Sequence, residues 1–594
     1  MAIDSIPARL LERGKRLATK DAYFVKTGTQ WVPTKYDVYA DETRRAARAL
    51  VSLGMEAGGT VAILGFNRPE WVIFDVAAMM AGGAPAGIYT TCAPVKVSYI
   101  IGHAEATVVL VENADQWEKV RETRHELPNL KWVVMMKDGA TIDDDMVLSW
   151  EEFMAKADDT PDSVIDERLE GIKEDQIATF IYTSGTTGPP KAVMLSHKNL
   201  TWTADVAQQL VSMESGDCSV SYLPLSHIAE QMFSIHGPIT AGSSIYFAES
   251  LEKIADNFKE VEPTILFAVP RIWEKFYAGV QTKLKGSTGL KAKIGGWARK
   301  VGTEANGVLN DGGQLGGLLQ FKYNIANKLV FSKIKPALGL GRVRVCVSGA
   351  APISSEIIEF FAGFDIVIRE VYGQSEGSGP TTFNIPGKTR YGTVGPKIPG
   401  VEVKILEDGE IVARGPNIFL GYYKDEAATN ETLIDGWLHS GDLGKFDDDG
   451  YLSITGRKKD IIITAGGKNI APQNVESALK DHPLISQAVM IGDRRKFCSA
   501  LLALDPDAVA AHAAEHKIAA SAVYTDESVL ADLQKWVDKV NAKGARVEHV
   551  RKFTVLKNDF TPLGDDPELT PTLKVKRNVV ARKYETDIEA MYAD

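Results

Sequence analysis

Cysteine is scarce in this chain: Cys92, Cys218, Cys346 and Cys498 are the four in 594 residues, and no two form a C-x-x-C pair. Such spacing argues against a disulfide framework or a zinc ribbon and fits reduced thiols in a cytosolic protein. A long hydrophobic run is missing too. The most apolar stretch, Trp71 to Tyr89, is broken by Asp75, Gly82, Gly83 and Pro85, so it reads as a buried helix, a turn and a strand rather than a membrane span. The first twenty residues lack a continuous apolar core before a small-residue cleavage site, so no signal peptide is expected and the protein is placed in the cytoplasm. Basic charge is not in excess either. A net charge of -11 argues against nucleic acid as a partner, which would need a concentrated basic face, and points to small-molecule substrates. No internal repeat or long low-complexity tract is present.

A chain of 594 residues exceeds what one hydrophobic core usually supports, so at least two domains are expected. Between Thr60 and about Tyr372, short β-branched runs (TVAIL, TVVLV, KWVVMM, SIYF, TILFAV, VRVCV) alternate with helical patterns such as DQWEKVRETRHEL and LEKIADNFKEV. That alternation predicts an α/β architecture of parallel sheets covered by helices. After Gly400, VEVKILEDGEIVARG reads as two strands joined at an Asp-Gly turn, hence a small antiparallel or barrel-like subdomain. From Gly456 the texture changes again: a glycine loop, a helix over about Pro472 to Lys480, two strand-like runs and further helices. The expected division is 1–456 as a large N-terminal domain and 457–594 as a small α+β lid.

The stretch from Tyr182 to His197, YTSGTTGPPKAVMLSH, carries the most chemistry. Gly185 and Gly188 let backbone N–H groups approach an anion, Thr183, Ser184, Thr186 and Thr187 add hydroxyl donors, and Lys191 adds a mobile positive charge. A Walker loop would need Gly-Lys-Ser/Thr and then a helix, whereas here two prolines precede Lys191 and a strand-like AVML run follows. The stretch closely resembles the phosphate loop of the adenylate-forming superfamily, whose members activate a carboxylate as an acyl-AMP and mostly pass the acyl group to coenzyme A. Ala192 stands where that family usually has Gly.

Five further blocks follow in the order the resemblance requires, so it covers nearly the whole chain. VSGAAPIS places the small residues Ser348, Gly349, Ala350, Ala351 and Pro352 at the end of a predicted strand, where α/β sheets bind ligands; the resemblance makes this the adenine pocket. In VYGQSEG, Tyr372 is available to stack on a purine beside Gly373 and Gln374, Ser375 offers a hydroxyl, and Glu376 is a hard oxygen ligand suited to Mg²⁺ beside phosphates. The resemblance also directs Thr183 toward the metal. DGWLHSGDLG carries Asp442, whose two acceptor oxygens suit a ribose diol. In GRKKDIIITAGGKNIAP, which resembles the long-chain acyl-CoA synthetase signature, Arg457 is a second polar contact to the nucleotide, Lys459 matches the hinge, and Ala465, Gly466 and Gly467 form the turn the pantetheine arm of CoA would approach. LTPTLKVKR holds the adenylation lysine, Lys574, with Arg577 three positions on; Thr572-Leu573 replaces the usual Ser-Gly, as in long-chain members. Upstream, SYLPLSHIAEQMF places His227 at a strand end, where the superfamily keeps an aromatic or imidazole near the acyl carboxylate; the positions nearest an aromatic gate are Gln231 and Phe233.

The resemblance therefore implies a long-chain fatty acid:CoA ligase that uses ATP, Mg²⁺ and coenzyme A and forms AMP, with Lys574, Glu376, His227 and Lys191 as its catalytic residues. An acyl-AMP ligase that loads a carrier protein and a catalytically silent nucleotide-binding scaffold are the alternatives. One segment departs from the acidic whole. Residues 281–335 hold ten Lys or Arg against Glu304 and Asp311, a net +8, with Trp297, Leu315, Leu318, Leu319 and Phe321 interleaved. Two readings stand for it: a solvated helical face, or peripheral contact with an anionic membrane surface.

Overall fold

The computed structural model describes residues 3–183, 189–286, 288–564, 566–570 and 572–593. Its largest sheet has eight strands in the spatial order 421–422, 191–196, 177–183, 84–88, 60–64, 108–111, 132–135 and 147–148. The strands from 177–183 to 147–148 run parallel, and Lys191–Ser196 and Gly421–Tyr422 close one edge antiparallel. The three central strands, Thr60–Leu64, Ala84–Ile88 and Val108–Val111, are buried along their whole length, which is why they read as unbroken apolar runs. The helix Pro69–Met80 between two of them starts with proline at its first position and buries every residue from Glu70 to Met80. A helix that is apolar all round has no solvent face to offer. Of its two carboxyls, Glu70 is paired with Arg68 at 3.1 Å at the helix start, while Asp75 is enclosed with neither oxygen hydrogen-bonded, and burial raises its pKa well above the ordinary value, which favours the protonated form.

The large domain also holds two four-stranded sheets. One is ordered 218–221, 244–247, 21–27, 30–35 and the other 265–268, 345–348, 368–374, 379–383; each is parallel apart from one antiparallel edge strand. The parallel sheets expected from the alternating pattern are thus present, and the edge strands that cap them come from hairpin returns. The second of these sheets delivers Ser348 and Tyr372 at or near its strand ends. After Gly400, strands 402–405, 410–414, 433–434, 437–446 and 452–457 form a five-stranded antiparallel sheet, with the turn where Asp408-Gly409 was read. The C-terminal region has its own core around strands 485–491, 498–504 and 550–556, and its first helix is Pro472–Lys480. It docks on the large domain through Arg271 with Asp505, Lys480 with Glu274 at 3.7 Å, and the Ser354 hydroxyl donating to Asp481 at 2.9 Å.

All four cysteines are free and buried. Among the described residues no helix is long and apolar enough to cross a membrane.

Two histidines are sealed in the large domain with no hydrogen-bond partner on either ring nitrogen: His197, at the start of helix His197–Val211, and His236. Burial lowers them to about 4 and about 3 respectively, so both are neutral at physiological pH. A histidine whose folded pKa lies below its unfolded value contributes stability that is present above pH ~6.5 and lost as pH falls through the folded pKa, here up to about 3 kcal/mol for His197. His197→Gln, which cannot titrate, should therefore gain on the wild type as pH falls from 7.5 to 4. Melting temperatures of the two proteins across that range check this; a constant difference between them would contradict it.

Candidate active site

The strands Ile177–Thr183 and Lys191–Ser196 pair so that Thr183 faces Lys191, with the Thr183 hydroxyl 3.5 Å from the Lys191 carbonyl oxygen. Ser184, Gly185, Thr186, Thr187 and Gly188, the expected phosphate-binding residues between them, lie outside the described residues. Lys191 stands with its Nζ 3.8 Å from Asp425 and 4.9 Å from the centre of the Tyr422 ring. The Tyr422 hydroxyl in turn donates to Glu376 Oε1 at 2.7 Å. Burial, then the Glu376 charge, raise the phenol above its ordinary pKa and keep it a donor. Tyr422 thereby links Lys191 to Glu376, the carboxylate expected to meet magnesium.

Glu376 sits in a single 3₁₀ turn, Ser375–Gly377, at the end of strand Ile368–Gln374. That turn is pinned from behind: Asn417 Nδ2 donates to the Gly377 carbonyl at 3.0 Å, and the Glu376 carbonyl accepts from the Phe419 N–H at 2.9 Å. Gly373 is required by close approach, since a Cβ there would lie 1.7 Å from the Gly379 carbonyl oxygen. On the neighbouring strand end, Ala350 takes a left-handed backbone (φ +69), and the Ser348 hydroxyl is buried without a partner. Non-glycine residues in that backbone region are uncommon and cluster at functional sites. Ala351 and Pro352 next to it are exposed.

Asp442 is almost fully buried, and both its oxygens are held: Oδ2 by the Tyr372 hydroxyl at 2.9 Å and Oδ1 by Arg457 Nε at 2.8 Å. Asp442 and Arg457 are direct partners across two antiparallel strands. The sequence reading made Tyr372 a stacking platform; the structure adds a hydroxyl that orients Asp442. Lys574 comes from the other domain, on a turn closed by the Thr570 N–H to the Lys574 carbonyl at 2.8 Å and the Lys574 N–H to the Thr570 hydroxyl at 3.0 Å. The surrounding protein lowers the pKa of its ammonium, and Arg457 adds to this, while Asp442 and Glu376 pull it back up. Its side chain keeps solvent access in the cleft, which moderates the desolvation.

His227 lies six residues beyond the strand Cys218–Ser221, as the N-cap of a four-residue helix, Ile228–Gln231, rather than at the strand end expected. Its Nδ1 accepts the Ala229 N–H at 3.2 Å, which leaves the ring proton on Nε2. Burial, then the Lys574 charge, lower it to about 4, so it is a neutral donor. Of the gate positions, Gln231 is buried with its amide unpartnered and Phe233 stacks on Phe267 at 4.8 Å.

Lys191, Glu376, Tyr372, Asp442, Arg457, His227 and Lys574 are thus gathered around one cleft between the domains. Ala465, Gly466 and Gly467 are not: they form an exposed turn whose backbone bonds go to Arg495 and Thr464 within the C-terminal region. Lys459 is exposed in the 3₁₀ turn Lys458–Asp460 just after Arg457. Arg577 is paired with residues of its own region, tying Glu476 to Asp460. Tyr422, Asn417 and Asp425 were missed in the sequence, because nothing in their spacing marks them.

Residues 12–423 match the profile of the AMP-binding enzyme family, and residues 459–594 match that of the AMP-binding enzyme C-terminal domain. The chain belongs to the AMP-binding enzyme family. Among its relatives is the long-chain-fatty-acid–CoA ligase ACSBG2 of Xenopus laevis, 41% identical over 96% of this chain and 81% of that one. The human protein of the same name is 37% identical over 99% of this chain and 92% of that one. Similar solved folds include the anthranilate CoA ligase AuaEII with anthranoyl-AMP (TM-score 0.74, 20% identity, 99% of each chain). The adenylation domain of a Mycobacterium chelonae carboxylate reductase is another (TM-score 0.78, 19% identity, 100% of this chain and 91% of that one).

In this member of the AMP-binding enzyme family the residue before the cleft lysine is not the glycine usual to the superfamily but Leu573, and it holds a left-handed backbone (φ +61) with its side chain exposed. An L-residue there costs roughly 1–2 kcal/mol. Leu573→Gly should leave the turn intact, whereas Leu573→Val, whose branched Cβ resists that backbone still more, should open it. Amide exchange of Lys574 reads this directly: about tenfold faster in the valine variant and not faster in the glycine variant. Equal exchange in both would show that the turn does not depend on this backbone.

Proposed function

We propose that this AMP-binding enzyme is a long-chain fatty acid:CoA ligase that forms AMP. One observation carries the reading: a lysine from the C-terminal domain, Lys574, stands among the charges of Glu376, Asp442 and Arg457 from the large domain. The relatives named as long-chain-fatty-acid–CoA ligases, matched over nearly the full chain, support the substrate class.

In the first step a carboxylate oxygen of the fatty acid attacks the α-phosphorus of ATP, the bond to pyrophosphate breaks, and acyl-AMP results. Both reactants are anionic, so the residues that matter are those that hold and neutralise charge. Lys191 and Lys574 serve the phosphates, Asp442 and Arg457 hold the ribose, and the strand ends at Ser348–Pro352 and Tyr372–Ser375 receive the base. The neutral His227, with its proton on Nε2, is a donor to the acyl carboxyl group. Glu376 and Thr183 would hold Mg²⁺, which when bound neutralises phosphate oxygens. Among the described residues no cluster of three or more His, Cys, Asp or Glu could hold a metal alone, and a single carboxylate suits an ion that takes its other ligands from phosphate and water.

In the second step the CoA sulfur attacks the acyl carbon, the bond to AMP breaks, and the thiol proton leaves to solvent. Lys574 must then withdraw and the Ala465–Gly467 turn must approach, so the C-terminal domain, taken as 457–594, turns about Lys459 between steps. Gly467 has a left-handed backbone (φ +70) with open space around it. Lys574→Ala should lower acid-dependent pyrophosphate exchange ~10²–10³-fold while still converting supplied acyl-AMP to acyl-CoA. Gly467→Leu should do the reverse. Loss of both half-reactions in both folded variants would contradict the two-position lid.

The 281–335 segment, with the buried free thiols, supports a cytoplasmic protein that touches membrane at its surface. Leu290, Leu309, Leu318, Phe321 and Leu329 are exposed there beside exposed Lys291, Lys293, Arg299 and Lys300. Of the apolar residues first singled out, Trp297 and Leu319 instead pack on the core, and Lys335 is paired with Asp365. Each basic residue near an anionic surface contributes about 1 kcal/mol, weakened by salt. The protein should therefore float with anionic vesicles at low salt and lose this on charge reversal of those four residues; no flotation of the unmodified protein would leave the segment a solvated face.

A further inference from the structure

The helix that carries His227 is too short to hold itself. Ile228–Gln231 is one turn, and it runs directly into a π-helical turn, Met232–His236, a rare geometry that is frequent at functional sites. Something else has to fix the direction of the imidazole. In the middle of that single turn stands Glu230, a carboxyl sealed in the core that none of the chemistry above uses.

Three donors from three separate segments converge on one of its oxygens. Oε1 accepts the Ser221 hydroxyl at 2.7 Å from the end of strand Cys218–Ser221, the Ser234 hydroxyl at 2.6 Å from the π-helical turn, and Asn67 Nδ2 at 3.3 Å from the loop after strand Thr60–Leu64. The same Asn67 nitrogen reaches the Ser221 hydroxyl at 2.8 Å and the Leu223 carbonyl at 2.7 Å. The stretch from Ser221 to His227 is therefore clamped at its start by Asn67 and Ser221 and at its end by Glu230, and the clamp spans the central sheet, its neighbour and the His227 helix. We propose that Glu230 is a positioning residue for His227, holding the imidazole where its Nε2 proton meets the acyl carboxyl group. The proposal rests on the reading of His227 given above. A buried carboxylate is an expensive way to join three segments when apolar packing of the same volume costs less, and fixing a direction is what hydrogen bonds add.

The groups facing Glu230 are the two serine hydroxyls, the Asn67 amide, the N–H groups of Tyr222 and Leu223, and the phenol of Tyr222, itself held well above its ordinary pKa. Burial pushes the carboxyl up to about 7 against those hydrogen bonds. Above that value it is an acceptor only; below it the carboxyl carries a proton of its own, which weakens it as an acceptor for the groups it joins.

The test is a double-mutant cycle of His227→Ala and Glu230→Gln, read as acid-dependent pyrophosphate exchange from pH 6 to 8.5, with melting temperatures as a fold control. Glu230→Gln alone should lower kcat/KM for the fatty acid on the order of ten- to a hundredfold and leave KM for ATP unchanged. It should also flatten the decline of the wild type below pH 7, and it should have no further effect in the His227→Ala background. If Glu230→Gln does not fold, Ser234→Ala, which removes one donor, should show the same pattern in weaker form. An equal loss in the His227→Ala background, a parallel rise in KM for ATP, or an unchanged pH profile overturns the proposal. Wild-type activity of His227→Ala would instead show that His227 does not handle the acid, and the positioning role would fall with it.

Discussion

A fatty carboxylate and an ATP phosphate repel each other, and the proposed function makes that repulsion the constraint this cleft has to meet. Positive charge has to be present where the two anions meet, and it has to be movable if the same cleft is then to admit a thiol. The chain divides these demands between its two parts. The large domain holds groups that are fixed in place: Asp442 held on both oxygens by Tyr372 and Arg457, and Glu376 in a turn braced by Asn417 and Phe419. The C-terminal region brings Lys574 on a tight turn of its own. The contacts that hold it include polar ones, with Arg271, Glu274 and Ser354 facing Asp505, Lys480 and Asp481. Polar contacts of that kind exchange readily for water, which suits a domain that turns.

The lysine itself illustrates how placement sets chemistry. Surrounding protein and Arg457 disfavour its charge, and the two carboxylates favour it. Added phosphates would tip that balance toward the ammonium form, so the charge is best stabilised when substrate is present. His227 follows the opposite logic. Kept neutral by burial and by Lys574, it would offer its Nε2 proton to the acyl carboxyl group without adding a further cation.

Much of this was legible in the sequence because the blocks that carry chemistry are contiguous and ordered. Ser348 sits at the end of a run that reads as a strand, and Glu376, Asp442 and Lys574 sit in short blocks that the family resemblance marks. The alternating apolar runs likewise announce the buried strands of the large sheet. What was not legible depends on meetings between distant segments. Tyr422 reaches Glu376 across 46 residues, and Glu230 meets Asn67 across 163. Neither separation leaves a local period or motif. The left-handed backbone at Leu573 was hidden for a different reason, since leucine is among the residues least expected there and only the geometry of the turn reveals it. The helical segment near 281–335 was legible in charge but not in orientation: which leucines face the core and which face solvent follows from packing.

The central claim is that an acyl-AMP forms in this cleft before any thioester does. It is tested most directly by following oxygen. With hexadecanoate labelled with ¹⁸O in its carboxyl group, ATP, Mg²⁺ and CoA, attack of the carboxylate on the α-phosphorus leaves one labelled oxygen on the AMP released with each acyl-CoA, and none in pyrophosphate. Unlabelled AMP, or label in inorganic phosphate, would contradict the account.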